Sequence, residues 1–206
     1  MGSTPSNRAV RAGLVAFALA SLTTTAAEAA VRWGGVDKEL ERRPQIQLTM
    51  GPGGMASTWR GDAGLYGGLR VGARFFDLVT VDLLARLGYA AVDERTITYL
   101  ALAAGLQPRL FGGKVRPFAR VAVVHQHEET IAAIHRDAFG ALLGVGDGIR
   151  HRGGFSFGLG ADVPFARVGA TQFFAGLEAM ATVFPDPRGP EWYFGGGAWL
   201  GVSFSL

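Results

Sequence analysis

The last fourteen residues of the chain alternate between two kinds of side chain. From Phe194 to Leu206 every second residue is apolar or glycine, whereas the residues between them are small, polar or amphipathic. A period of two is that of a β-strand, whose successive side chains point to opposite faces. A strand at a chain end leaves an unpaired edge, and a closed barrel is the arrangement that removes every edge, so this pattern favours a barrel.

Alternation recurs along most of the chain before this segment. It predicts eight strands, at residues 45–50, 65–75, 79–89, 98–106, 115–125, 154–163, 172–183 and 193–206. The well-formed ones have about 9–11 residues, the length of a tilted strand that crosses a bilayer. Short connections at 76–78, 108–114 and 164–170 alternate with connections that are longer on average, at 51–63, 90–96, 127–153 and 184–191. Membrane barrels place short turns at the periplasmic rim, where we expect both termini.

Charged residues within the predicted strands fall on the face opposite the apolar one. They are Arg70, Arg74, Asp82, Arg86, Arg120, Asp162 and Glu178. A soluble barrel would place apolar residues inside and polar residues outside, which is the reverse order. Aromatic residues gather near the strand ends, as in the girdles at lipid–water boundaries. The sequence therefore predicts an all-β fold, an eight-stranded antiparallel up-and-down transmembrane β-barrel with charges inside.

The N-terminus has the layout of a secretory signal peptide. Arg8 and Arg11 precede an apolar stretch at residues 12–22, and Ala27-Glu28-Ala29 is a small-residue cleavage site. The apolar stretch is shorter than the about 20 residues that a transmembrane helix needs. We predict a signal peptide at 1–29, a short periplasmic segment at 30–43 and a barrel at 44–206, located in the bacterial outer membrane.

Composition limits the partners and the chemistry of the protein. The chain has no cysteine, which rules out disulfides and a cysteine-linked lipid anchor. Its net charge of +3 is small, and no basic run suggests that it binds nucleic acid. We expect no cofactor, a monomer, and outer-membrane lipid as the surrounding partner.

The chain resembles the small bacterial outer-membrane β-barrels of the OmpA/OmpX transmembrane-domain type. The resemblance covers roughly residues 44–206 and lies in the strand layout and in the C-terminal segment 201–206. Within that segment, Gly201, Phe204 and Leu206 look like the signal that the barrel-assembly machinery reads, although the signal usually ends in an aromatic residue. The resemblance implies the assembly machinery as a partner during biogenesis and a non-catalytic role in the envelope or at the surface.

The inward charges allow two interpretations. An eight-stranded barrel has an interior that side chains just fill, so the charges are expected to pair into a network that plugs the lumen. The alternative is a narrow pore for ions or small solutes, lined by arginine.

Two further groups of residues are candidates for chemistry. The four histidines, His125, His127, His135 and His151, lie in one region, where a metal or pH-sensing site competes with a solvated loop. Residues 130–143 could form a short helix at the barrel mouth. Ser156 with His151 and Asp137 is the candidate set for a lipid A-modifying enzyme, and its spacing matches no motif of such enzymes. The leading prediction is a non-catalytic barrel, without metal.

Overall fold

The protein folds as a closed barrel of eight antiparallel strands. This computed structural model describes residues 32–33, 42–59, 62–91 and 94–206. The predicted signal peptide and most of the predicted periplasmic segment lie outside the described residues. The strands are β1 (Arg32–Trp33), β2 (Gln45–Ser57), β3 (Ala63–Phe75), β4 (Val79–Ala90), β5 (Arg95–Leu106), β6 (Arg116–Thr130), β7 (Ile149–Val168), β8 (Thr171–Val183) and β9 (Trp192–Ser205).

Each strand from β2 to β9 pairs with its neighbours in the sequence, and β2 pairs with β9 to close the barrel. The closing register sets Ile46 opposite Phe204 and Leu48 opposite Val202. The two-residue strand β1 adds to the part of β7 that extends past its pairing with β6, with Arg32 opposite Arg167. The predicted fold class is confirmed, and the terminal strand is paired on both sides.

The barrel exposes its apolar side chains outward and buries its charged ones. Phe157 and Leu177 are 51% and 66% exposed, whereas Arg74 and Asp162 are at most 1% exposed. We call the outward apolar surface the apolar belt; on β6 it ends at Val123 and on β7 at Phe155, before the outward residues His125 and His151. Exposed apolar surface of this extent is stable only against lipid, so the belt is the membrane-spanning region.

Several strands are longer than the sequence predicts. β2 continues through Gly51, Gly53 and Gly54, where glycine leaves no side-chain alternation to recognise. β6 runs to Thr130 and β7 begins at Ile149, because both strands rise beyond the apolar belt and carry polar residues on both faces there. The longest connection is therefore residues 131–148, and β7 and β8 are joined by Gly169 and Ala170 alone.

The two rims of the barrel differ in their connections. We call the rim with the connections 76–78, 107–115 and 169–170 the turn rim; a 3-10 turn, Phe111–Gly113, lies in the second of these. The opposite rim, the loop rim, carries the connections 58–62, 91–94, 131–148 and 184–191.

Residues 131–148 contain two short helices, α1 (Ile131–Arg136) and α2 (Ala138–Leu142). Thr130 caps α1 by accepting a hydrogen bond from the Ala133 amide, and Asp137 caps α2 by accepting one from the Gly140 amide. The predicted helix at 130–143 is thus present as two helices, because the cap at Asp137 interrupts it. No helix among the described residues is long and apolar enough to cross a bilayer.

Candidate functional site

The central layer of the lumen consists of charges that pair across the barrel. Glu178 on β8 accepts a hydrogen bond from Arg86 on β4, with 2.9 Å between Nη2 and Oε2. Arg120 on β6 lies 3.5 Å from Glu178 and 3.7 Å from Asp82. Asp162 pairs with Arg70 at 3.7 Å. Each carboxylate is therefore close to a guanidinium group, as burial of ions requires.

Aromatic rings complete this layer. The guanidinium carbon of Arg86 lies 5.1 Å and 5.0 Å from the ring centroids of Tyr66 and Tyr99. The Arg120 group lies 4.1 Å from the Phe118 ring centroid. The Trp199 indole donates a hydrogen bond of 2.9 Å to Asp162. Arginine heads thus have ring faces as well as carboxylates as partners, which offsets part of their desolvation.

Arg74 belongs to a different layer, at the turn rim. Its guanidinium group donates hydrogen bonds to the carbonyl oxygens of Asp77 and Gln107 and pairs with the Asp77 carboxylate at 3.1 Å. Asp77 also pairs with Arg109. The structure therefore places six of the seven predicted interior charges in the central layer and Arg74 at the turn-rim end.

A third layer closes the lumen at the loop rim, and the sequence reasoning did not find it. Arg152 donates hydrogen bonds to Glu128 at 3.1 Å and to the Pro190 carbonyl oxygen at 2.6 Å. Its guanidinium carbon lies 4.5 Å from the ring centroid of Phe184. Arg150 pairs with the other oxygen of Glu128 at 3.0 Å. The hydropathy pattern gives no signal for these residues, because both faces of β6 and β7 are polar there.

Small cavities lie among the charges of the central layer. A cavity of about 30 Å³ lies beside Arg70, Arg86 and Arg120, and one of about 20 Å³ lies beside Tyr99 and Met180. Cavities of this size hold about one or two water molecules. A β-carbon added at Gly176 would lie 2.3 Å from both Asp162 Oδ1 and Trp199 Nε1, so glycine is required where these side chains approach the wall.

Three of the four histidines meet on the outer face of the barrel, just beyond the apolar belt. His127 lies opposite His151 in the β6–β7 register, and His125 is the next outward residue on β6. The Nε2 atoms of His125 and His127 are 2.8 Å apart, and one ring nitrogen from each of the three histidines lies within 4.8 Å of the others. His135 lies on α1 and is not part of this group.

The histidines differ in exposure. His125 and His151 are exposed, whereas His127 is only 6% exposed. A β-carbon added at Gly144, the residue after α2 and its cap, would lie 2.2 Å from Cε1 of His127, so the loop backbone packs on this ring. Burial lowers the pKa of His127, and the nearby His125 and His151 act in the same direction. The loop therefore covers His127 on the outer face of the barrel.

The candidate enzyme residues are not brought together. Ser156 faces the lumen, where it donates a hydrogen bond to the Ala181 carbonyl oxygen and accepts one from Thr182. His151 is exposed on the opposite face of the same strand, and Asp137 caps α2. The wall of the barrel separates Ser156 from the histidine that would have to activate it.

The predicted assembly signal occupies the turn-rim end of β9. Phe204 points outward and is 43% exposed, and Leu206 is 66% exposed. The Leu206 amide donates a hydrogen bond to the Pro44 carbonyl oxygen. Gly201 faces inward, and a β-carbon there would lie 2.5 Å from the Phe174 ring. The segment therefore offers its apolar side chains on the lipid face.

Comparison with solved structures identifies the fold. The chain is similar to Neisserial surface protein A, with a TM-score of 0.54 and 15% identity over 79% of this chain and 97% of that one. It is also similar to the outer membrane protein OprG from Pseudomonas aeruginosa, with a TM-score of 0.47 and 14% identity over 80% and 98% of the two chains. No protein-family model and no curated protein sequence matches the chain. The eight-stranded fold and the apolar belt together make this chain an integral β-barrel of the bacterial outer membrane.

Proposed function

We propose that this protein is a closed, non-catalytic barrel that serves as a structural element of the outer membrane and holds its extracellular loops at the surface. The observation that supports this function is the filled lumen. Charged layers lie at the centre, at the turn rim and at the loop rim, and the central layer pairs charges on strands that are not neighbours, such as Arg86 on β4 with Glu178 on β8.

The energetics of the lumen argue against ion passage. An ion or solute that crosses it has to separate Arg86 from Glu178, because this pair spans the interior between β4 and β8. Each buried charge that loses its partner costs several kcal/mol. Water-sized cavities do not supply enough hydration to offset that cost.

The proposed partners follow from the surface of the barrel. Lipid covers the apolar belt, and the barrel-assembly machinery reads the end of β9 during insertion. A monomer is expected because β2 and β9 pair and leave no open edge among the eight barrel strands. The loops at 131–148 and 184–191 are then the parts that a surface partner would meet.

Conductance in planar lipid bilayers tests the closed barrel. We expect no steady openings from the wild-type protein. The triple variant Arg70→Ala, Arg120→Ala, Glu178→Ala removes half of the six charges of the central layer and should conduct intermittently, since the loop-rim layer remains. Val121→Ala, on the outward face of β6, is the matched control and should behave as wild type. Steady wild-type openings would instead support the pore.

The absence of catalysis is tested on lipid A itself. Mass analysis of lipid A from cells that express the wild type or Ser156→Ala should give the same species as cells without the protein. A modification that depends on Ser156 would overturn the non-catalytic role.

A further inference from the structure

The three-histidine group is a constellation that the closed barrel does not need. His125, His127 and His151 point away from the lumen, so they contribute nothing to the charged layers that fill it. They also lie beyond Val123 and Phe155, the residues at which the apolar belt ends on β6 and β7, so they are not part of the lipid contact. Neither the charged lumen nor the contact with lipid therefore explains why three imidazoles meet on these two paired strands.

The spacing of the rings fits a metal ion. Bonds of about 2.0–2.1 Å from zinc to imidazole nitrogen set neighbouring nitrogens about 3.3–3.4 Å apart around a tetrahedral ion. The nitrogens here lie 2.8 Å apart for His125 and His127, and within 4.8 Å for the whole group. The rings of His125 and His151 are exposed, so binding of an ion would need them to rotate by a small amount.

The surroundings of His127 add a second observation. Its Nδ1 atom is buried and has no hydrogen-bond partner among the described residues, so the protein does not use all the polar atoms gathered here. The ring is covered from one side by the backbone at Gly144, and the exposed rings of His125 and His151 lie beside it, each with its centroid 4.6 Å from that of His127. One covered ligand and two exposed ones can close around an ion that arrives from outside.

We propose that His125, His127 and His151 bind one late first-row divalent metal ion, such as Zn²⁺, on the outer surface of the barrel at the loop rim. Imidazole nitrogen suits these ions, and three ligands leave a fourth position for water or for a group from a partner. The ion would join β6 to β7 at the point where both strands leave the membrane. This site is independent of the closed lumen, because none of its ligands faces inward.

Zinc titration of the full chain tests the site. The protein is purified in detergent with a tag that contains no histidine, freed of metal by chelation, and titrated with Zn²⁺ in a calorimeter. We expect one ion per barrel. His127→Ala and His151→Ala should each weaken binding by more than about tenfold, because loss of supporting residues outside the ligand set already costs roughly 10–100-fold. His135→Ala, on α1, is the matched control and should bind as wild type.

Two measurements keep the test decisive if a variant folds poorly. Heat-modifiable migration on gels reports whether each variant forms the barrel. X-ray absorption of the zinc-loaded wild type reports the ligands directly and should give three imidazole nitrogens. No binding by the folded wild type, a spectrum without imidazole, or equal affinity in a folded His125→Ala, His127→Ala, His151→Ala variant would overturn the site. Conductance is unaffected by any of these outcomes, so the closed barrel stands or fails separately.

Discussion

Single residues determine how the lumen is closed at the loop rim. Arg152 combines Glu128, two backbone carbonyl oxygens and the Phe184 ring within one side chain. A lysine could not make these contacts, because its ammonium group lacks the planar set of five donors. Position 152 therefore depends on the geometry of the guanidinium group as well as on its charge.

The pair Asp186–Arg188 provides a pH test at the residue scale. Arg188 lowers the pKa of Asp186 to about 2, mainly through hydrogen bonds from its side chain and its backbone amide. A depressed carboxyl pKa stabilises the folded loop at any pH above the ordinary aspartate pKa of about 4. This stabilisation is lost as the pH falls towards 2. Carbon-detected NMR titration of wild-type Asp186 should therefore give a midpoint near 2.

The variant Arg188→Gln is the comparison for that titration. Without the guanidinium group, the Asp186 pKa should rise towards its ordinary value of about 3.9. Equal midpoints in the wild type and the variant would mean that Arg188 does not hold this carboxylate in solution.

The parts of the strands that contact lipid were predictable from the sequence, and the parts beyond the lipid were less predictable. Alternation marks the core of most barrel strands because lipid and lumen demand opposite side chains, but in β5 both faces are apolar, as at Leu100 and Ala101. Above the belt, water lies outside and polar groups lie inside, so His127, Glu128 and Glu129 give no contrast between faces. Within β2, Gly51, Gly53 and Gly54 carry no side chains to reveal the pattern.

The end of α2 shows how a helix cap shapes the histidine group. Gly144 has a φ of +73°, and its amide donates to the Ala141 carbonyl oxygen while the Val145 amide donates to that of Gly140. These two bonds form a Schellman motif, which sets glycine at the position after the cap. The same glycine is the residue that packs on His127, so the helix end and the ring are positioned together.

Substitution at Gly144 tests this coupling. Gly144→Ala should lower the opening free energy of α2 by more than the about 1–2 kcal/mol of left-handed backbone strain, because the new methyl group would overlap the His127 ring. Gly148→Ala is the matched control, since its φ of +84° carries the same strain but the added carbon would lie 3.5 Å from the nearest atom. Hydrogen exchange of the α2 amides measures the opening free energy in both variants. Equal losses in the two variants would argue against contact between the loop and His127.

For the whole molecule, the sequence predicted the barrel and its inward charges but not their partners. Arg86 and Glu178 lie on β4 and β8, and Arg70 and Asp162 on β3 and β7, strands that are not neighbours. Such pairs depend on the diameter and stagger of the closed barrel, which the pattern of one strand cannot give. The sequence placed the four histidines in one region, but only the β6–β7 register separates His135 from the other three.

The stability of the barrel should depend strongly on Glu178. Glu178→Gln leaves Arg86 without its carboxylate and Arg120 with Asp82 alone at 3.7 Å. Loss of one partner from a buried ion pair costs about 3–5 kcal/mol, and we expect this decrease in the free energy of unfolding. Urea unfolding in lipid vesicles measures it. Leu177→Ala, at the adjacent position on the lipid face, is the control, and we expect it to lower the free energy of unfolding less. A smaller decrease for Glu178→Gln than for Leu177→Ala would contradict the ion-pair network.

Pairing across the lumen also constrains how the protein enters the bilayer. A hairpin of β3 and β4 inserted alone would carry Arg70 and Arg86 with only Asp82 to neutralise them, because Asp77 in its turn already pairs with Arg74. Their remaining carboxylates arrive on β7 and β8, more than seventy residues later in the chain. Stepwise entry of hairpins would therefore leave unpaired cations in the hydrocarbon of the bilayer. We therefore expect concerted translocation, in which both halves of the cylinder meet before either reaches the acyl chains.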